Sequence, residues 1–182
     1  MPRYIAFLRA VNVGGHVVKM DRLRELFEAL PFANVETFIA SGNVIFESSA
    51  KNRTGLEAKI EELLAEALGY EVSAFLRTDE EITVIARYQP FRDEEVKKAG
   101  AFVVGFLHKP LNKNAEKVLM KFESGIDDFH LHNREIYWLC KKRQSESKFS
   151  NATLEKALGL RSTFRGMNTI KNLAMKLGEK AH

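Results

Sequence analysis

The stretch Val35-Glu36-Thr37-Phe38-Ile39-Ala40-Ser41-Gly42-Asn43-Val44-Ile45-Phe46-Glu47 decides how this chain folds. Residues 35–41 and 43–47 are rich in β-branched and aromatic side chains and are parted by one glycine. They read as two strands of a hairpin turning at Ser41-Gly42-Asn43, because glycine accepts positive φ. Upstream, the apolar run Tyr4–Leu8 lies between Arg3 and Arg9 and reads as a buried strand. A loop over Ala10–Lys19 carries Asn12, Gly14 and Gly15. Met20, Leu23, Phe27 and Leu30 then recur at helical spacing, Leu26 widens the stripe, and Pro31 closes the helix. Downstream, Thr54-x-x-Glu57 has the form of a capping box opening a second helix. Its inner face is Leu56, Ile60, Leu63, Leu64 and Ala67, and Gly69 is its expected terminator. Glu71–Arg77 follows as a fourth strand. The order β-α-β-β-α-β is the ferredoxin-like arrangement.

The same order then returns. Thr78-x-x-Glu81 opens a linking helix reaching to Tyr88, and Gln89-Pro90-Phe91 with the charged run Arg92–Lys98 reads as a linker. Ala101–Leu107 is an apolar strand, and Ala115, Val118, Leu119 and Phe122 form a helix stripe. Asp127–His132 and Glu135–Cys140 are strands joined at Asn133-Arg134. Asn151–Leu158 is a helix closed by Gly159, and Arg161–Arg165 a short fourth strand. A last helix carries Ile170, Leu173, Ala174 and Leu177, with Asn168 as its N-cap. The expected fold class is α+β, with two consecutive ferredoxin-like units, a linking helix and an extra C-terminal helix. Residues 1–77 form the first unit, 78–98 the linking helix and charged linker, and 99–182 the second unit with its C-terminal helix. The duplication is legible in element order only, without a residue-level repeat.

With 182 residues, 45% of them hydrophobic, the chain supports a real core. It has no apolar run of the roughly 20 residues that cross a bilayer, so no membrane is expected as partner. Its start is too polar for a secretory signal. One cysteine, Cys140, cannot form an internal disulfide, which points to a reducing cytoplasm. A formal charge of +4 favours anionic partners without establishing a nucleic-acid surface.

The chemistry is read from strand directions. In a βαββαβ unit the first and second strands run parallel, so the loop after the first and the hairpin after the second leave one sheet edge. Asn12, Gly14 and Gly15 therefore meet Ser41, Gly42 and Asn43. Free backbone N–H groups, the positive N-terminus of the next helix, Arg9 and Lys19 are expected to complete an anion cradle, the alternative being an ordinary turn at Gly14-Gly15 and an ordinary hairpin at Ser41-Gly42-Asn43. In the second unit, Ser147 and Lys148 leave the same edge as Arg165, Asn168 and Thr169. His130 and His132 share a strand face but lack companions for a metal site. Cys140, at a strand end, reads as a buried inert thiol. No nucleotide, dinucleotide, nucleophile-elbow or zinc-helix motif is present, so no cofactor is expected.

Residues 4–20, YIAFLRAVNVGGHVVKM, resemble the opening of a bacterial family grouped as domain of unknown function 1697. The likeness runs through Arg9, Asn12, Val13, Gly14, Gly15, Lys19 and Met20. Residues 37–46, with Ser41, Gly42 and Asn43, resemble its second signature. Ser147-Lys148 and Arg165-x-x-Asn168-Thr169-Ile170 resemble its C-terminal ones. One departure is that Gly166-Met167 stands where the family usually has Asn-Trp. The resemblance implies the fold and a bacterial cytoplasmic origin, and no activity. Together with the residues it yields four expectations. The first is a phosphate- or carboxylate-bearing small ligand held in a basic cleft between the units. The others are an RNA-binding module using sheet aromatics such as Phe7, Phe38 and Phe46, an enzyme acting on an anionic substrate through Lys148 with Ser41 or Ser147, and a purely structural or oligomeric role.

Overall fold

The computed structural model describes residues 1–11, 15, 17–39 and 42–179. It divides into two compact units, Met1–Thr83 and Val84–His182. The first has strands β1 (Arg3–Arg9), β2 (Ala33–Thr37), β3 (Asn43–Glu47) and β4 (Ser73–Thr78), with helices α1 (Met20–Glu28) and α2 (Arg53–Leu68). Helix α3 (Asp79–Arg87) crosses the boundary. The second has α4 (Asp93–Lys98), β5 (Ala101–Phe106), α5 (Lys113–Met120), β6 (Asp127–His132), β7 (Glu135–Cys140), α6 (Asn151–Leu158), β8 (Thr163–Gly166) and α7 (Met167–Glu179). Each unit holds a four-stranded antiparallel sheet, in orders β2-β3-β1-β4 and β6-β7-β5-β8. This is the ferredoxin-like order, twice.

In the first unit one sheet face, with Tyr4, Ala6, Leu8, Val44, Phe46, Ala74 and Leu76, packs on Leu23, Leu26 and Phe27 of α1 and Leu56, Ile60 and Leu64 of α2. At roughly 1.5–3 kcal/mol per fully buried large side chain, this cluster is the unit's main source of stability. Strand β4 is an edge, and an open edge invites pairing with another chain. Its N–H groups are instead taken by carboxylates: Ala74 donates to Glu61 (3.0 Å), Leu76 to Glu57 (3.0 Å) and Thr78 to Glu81 (2.8 Å). The Glu81 N–H returns a bond to the Thr78 hydroxyl (3.1 Å), completing the expected capping box of α3.

The second unit repeats the plan around Val103, Leu107, Leu119, Phe129, Ile136, Trp138, Phe149 and Leu154. Its edge is guarded in the same way, with Ser162 N–H donating to buried Glu155 (2.8 Å). Helix α7 lies against β5 and β8.

Four details differ from the sequence reading. Helix α2 is capped by Asn52, whose side chain accepts from Gly55 N–H (3.2 Å), not by Thr54, because Glu57 is committed to Arg53 and to the β4 edge. The charged run 92–98 is not a plain linker. Three acidic residues followed by two lysines suit a helix dipole, and residues 93–98 wind into α4. Strand β2 stops at Thr37 instead of running to Ser41. Helix α7 starts directly from β8 without Asn168 as its cap. Starting at Met167 puts Met167, Ile170, Leu173 and Leu177 on one buried stripe. Among the described residues no helix is long and apolar enough to cross a membrane.

Candidate functional site

The two sheets share a register, and it aligns the units residue by residue. Ala6 lies between Val44 and Leu76, and Gly105 between Ile136 and Phe164. Leu8 N–H donates to Gly42 O (2.9 Å), and Leu107 N–H to Arg134 O (3.0 Å). Arg77 and Arg165 each donate from Nη1 to the carbonyl of the preceding residue, both at 2.9 Å. Ile5-Ala6-Phe7-Leu8 thus occupies the place of Val104-Gly105-Phe106-Leu107. This residue-level repeat escaped the sequence reading because it is confined to one strand and one arginine.

The alignment exposes where the units diverge. Between Leu8 and Met20 of α1 lie eleven residues, while between the matching Leu107 and Lys113 of α5 lie five, so the first connection is longer by six. Between Thr37 and Val44 lie six residues, while between the matching Leu131 and Ile136 lie four. Both loops at this end of the first unit are enlarged. They also meet. A Cβ on Gly42 would stand 3.3 Å from Leu8 Cβ and 3.5 Å from Val11, so this position, at φ 76°, has room only for glycine. Tyr70 pins the loop by donating to Val11 O at 2.6 Å. Asn43 is fully buried and closes the hairpin by donating to Phe38 O (3.0 Å). Ala10 (φ 71°) and Ile39 (φ 57°) hold left-handed backbone on either side of this meeting point. For a β-branched residue that conformation is a genuine outlier.

The helix starts differ as well. Asn112 caps α5, its side chain accepting from Ala115 N–H at 2.8 Å. The N-cap of α1 is Lys19, which has no acceptor to offer and makes no side-chain cap. The first turn of α1 therefore has no side-chain cap, and the lysine at its head is exposed. Arg9 is half-buried at the end of β1, and Gly15 is exposed at φ 82°. The other expected members, Asn12, Gly14 and Ser41, lie outside the described residues.

The C-terminal candidates do not gather in one place. Ser147 donates to Asp127 Oδ2 (2.8 Å) and accepts from Phe149 N–H (3.0 Å), so its hydroxyl is occupied structurally and is not poised as a nucleophile. Lys148 is exposed beside Phe149. Arg165 shares the ladder row of Val104, Tyr137 and His130, the sheet face opposite Trp138 and Asp127. It is buried, bonds to Thr163 (2.7 Å) and Phe164, and burial pulls its guanidinium down to about 10. Asn168 is exposed in the first turn of α7, and Thr169 is half-buried. Met167 is buried, which makes it a packing residue.

Sequence reasoning missed Asp127. It is buried, and its Oδ1 accepts from Trp138 Nε1 (2.9 Å) while Oδ2 accepts from Ser124 (2.9 Å) and Ser147. The signal was available. A buried indole N–H needs an acceptor, and Asp127 opens the strand paired with that of Trp138. His130 bonds Tyr88 Oη (2.7 Å), and its basicity falls through burial and then through the charge of His132. Cys140 is free and buried, and burial pushes its thiol up. Among the described residues no group of three or more His, Cys, Asp or Glu side chains is placed to hold a metal. Phe7 and Phe46 are wholly buried, so neither offers a face to a base.

In comparisons with known proteins, no curated protein matches the chain. A conserved bacterial protein of Streptococcus pneumoniae, SP0830, has a similar structure, with a TM-score of 0.78 at 23% identity over 98% of this chain and 99% of that one. A likeness at that identity speaks for the fold alone. The family model described as "Protein of unknown function (DUF1697)" matches residues 1–137, which include both enlarged loops and stop short of Ser147 and Arg165. The chain belongs to the DUF1697 family of proteins of unknown function.

Proposed function

We propose that this protein binds a small molecule bearing a phosphate or carboxylate, and that the loop after β1 and the β2–β3 turn of the first unit form its anion cradle. The observation that carries this reading is the internal comparison. The fold closes the same connections in the second unit with fewer residues, and there it caps the helix with Asn112. The first unit spends its extra residues where Arg9, Lys19 and the uncapped amides of α1 lie. Backbone N–H groups at a helix start, with a lysine at the N-cap, are the chemistry that holds an oxyanion. The buried, unpaired Cys140 fits a reducing cytoplasm as the working compartment. The RNA reading keeps only half-buried Phe38 of its three aromatics, because Phe7 and Phe46 are buried.

The test is a titration with inorganic phosphate, pyrophosphate and citrate, following the amide resonances of residues 19–23 and 42–43. A saturable shift is expected, weakened about tenfold in Lys19→Ala and shrinking as salt rises. Amides that stay still for all three anions, with Arg9→Ala and Lys19→Ala equally silent, overturn it.

A further inference from the structure

Each sheet has two edge strands, β2 and β4 in the first unit, β6 and β8 in the second. Strand β4 has its outward N–H groups taken by Glu57, Glu61 and Glu81, and Ser162 N–H at the head of β8 goes to Glu155. Strand β2 is interrupted, with a register shift between Ala33 and Glu36 and left-handed backbone at Asn34. Such devices keep an edge from pairing with another chain. Strand β6 differs. It pairs with β7 in unbroken register from Asp127 to His132, and among the described residues no strand lies on its other side.

One hydrogen bond fixes the direction of its backbone groups. Lys141 N–H donates to Ile126 O at 2.8 Å, so residues 126 and 141 form a hydrogen-bonded row. Rows alternate in an antiparallel pair. Asp128, His130 and His132 therefore bond to β7, while Asp127, Phe129 and Leu131 turn their N–H and C=O outward. Ser124 already uses those of Asp127: the Asp127 N–H donates to Ser124 Oγ (3.1 Å), and its carbonyl accepts from Ser124 N–H (3.1 Å). The outward groups of Phe129 and Leu131 have no hydrogen-bond partner among the described residues.

Two copies of this edge fit one another in a single register. With a two-fold axis through His130, Phe129 of either copy meets Leu131 of the other, and each such pair exchanges both its N–H···O bonds. Asp128 then stands opposite His132 of the other copy, a carboxylate acceptor against an imidazole donor. Tyr88 holds both imidazoles on that face: its ring stacks on His132 at 4.2 Å, and its Oη bonds His130 Nε2 at 2.7 Å. His130 meets its own copy across the axis, and burial lowers its basicity, which suits a place facing a like residue. Sliding the pairing one way calls on the groups of Asp127 that Ser124 occupies. Sliding it the other way calls on Asn133, whose φ of 53° belongs to the β6–β7 turn.

We propose that β6 is a self-association edge, on which two copies of the chain pair antiparallel about His130 and join their second sheets into one. The contact is isologous, so it closes at a dimer. It does not depend on the anion cradle. A strand pair is a small interface, and the dimer is expected to have a dissociation constant of roughly 10–100 μM.

Sedimentation equilibrium of the full chain over a concentration series reads the dimer, and cysteine crosslinking reads its register. In a non-hydrogen-bonded row the Cα atoms lie about 4.5 Å apart, which a disulfide can bridge. Cysteines are placed singly in a Cys140→Ser background and oxidised with copper phenanthroline. His130→Cys is expected to link to its own copy. Asp128→Cys and His132→Cys are expected to stay unlinked alone and to link when mixed. Asp128→Lys sets a cation against the imidazole, and since that pair occurs twice it should weaken dimerisation about tenfold. A chain that stays monomeric up to about 1 mM overturns the proposal. So does a dimer in which neither His130→Cys nor the mixed pair links, because the contact then lies elsewhere. Equal linking in all three single variants overturns it too, as random collision, and so does an Asp128→Lys chain that dimerises like the parent.

Discussion

The connection leaving β1 and the one leaving β5 start from the same register position and deliver the chain to equivalent helices, yet they are built to different ends. The shorter one shows what the fold requires: five residues and an asparagine cap. The longer one exceeds that requirement by six residues and gives up the cap for a lysine. Extra loop length costs little entropy, so the difference is not a stability penalty the fold must avoid. It is also not needed for closure. The longer loop starts at left-handed Ala10 and packs through Val11 against buried Gly42, beside a turn that carries a second left-handed residue, Ile39.

The sharpest way to break the alignment behind this comparison is in the cores. Ala6 faces Leu76 in one unit, and Gly105 faces Phe164 in the other, so a methyl lost on the central strand is matched by a ring gained on the edge. A Cβ placed on Gly105 would stand 2.6 Å from the Phe164 ring. Gly105→Ala is expected to destabilise by about 1–3 kcal/mol. Phe164→Leu alone costs about 1 kcal/mol for the space it leaves. Made together they recreate the Ala–Leu pair of the first unit, and the double variant is expected to be at least about 1 kcal/mol more stable than additivity allows. Urea unfolding followed by Trp138 fluorescence reads all three. Strict additivity would mean the two positions are not equivalents.

A smaller effect sharpens the comparison at the helix starts. Asn112→Ala removes the α5 cap and should cost about 1 kcal/mol. Lys19→Asn transplants that cap to α1 and should gain a similar amount, while its side chain competes with any anion for the same amides. A Lys19→Asn variant that is stabilised and still binds phosphate as the parent does would detach the cap from the cradle. Both measurements are chemical denaturation midpoints, read with the phosphate titration.

The architecture was legible because its signals are local. Apolar periodicity marks β6, β7 and α6 with the boundaries observed, and Gly69 and Gly159 end α2 and α6 in left-handed backbone as their positions foretell. The Thr78–Glu81 box is likewise a short-range pattern, and it forms. The misses came where a side chain answers a distant partner. Glu57 looked like a capping residue for Thr54, but it serves Leu76 N–H, nineteen positions away. Asp127 and Ser147 are joined across twenty positions, so spacing alone could not reveal that they meet. The candidate cradle was half legible: glycines and cations stand in the sequence, whereas the six-residue excess needed the ladder register that aligns Leu8 with Leu107.

The smallest expected effect lies on the outer strand of each sheet. Glu36 faces Ile45 in the first unit, and His130 faces Tyr137 at the matching place in the second. His130 bonds Tyr88 Oη at 2.7 Å, and Tyr88 stacks on His132 at 4.2 Å. Tyr137 lies 5.0 Å from the Tyr88 ring, while Glu135 sits across from His132 and Asp128 lies two residues along the same strand face. Burial, and then the charge of His132, lower the basicity of His130. A base made weaker by folding binds fewer protons in the native state than in the unfolded one. Its contribution is therefore fully present above the unfolded value of about 6.5 and is lost as pH falls below that towards the native value. The step is expected from the outer strand of the second unit, where His130 stands at the place of Glu36. Denaturation midpoints at pH 7.5 and 5.5 should fall slightly, and the fall should shrink in His130→Gln, which keeps a polar partner for Tyr88. The decisive reading is the His130 ring resonance: a midpoint above 6.5 would reverse the sign, and with it the claim that this edge holds its histidine neutral.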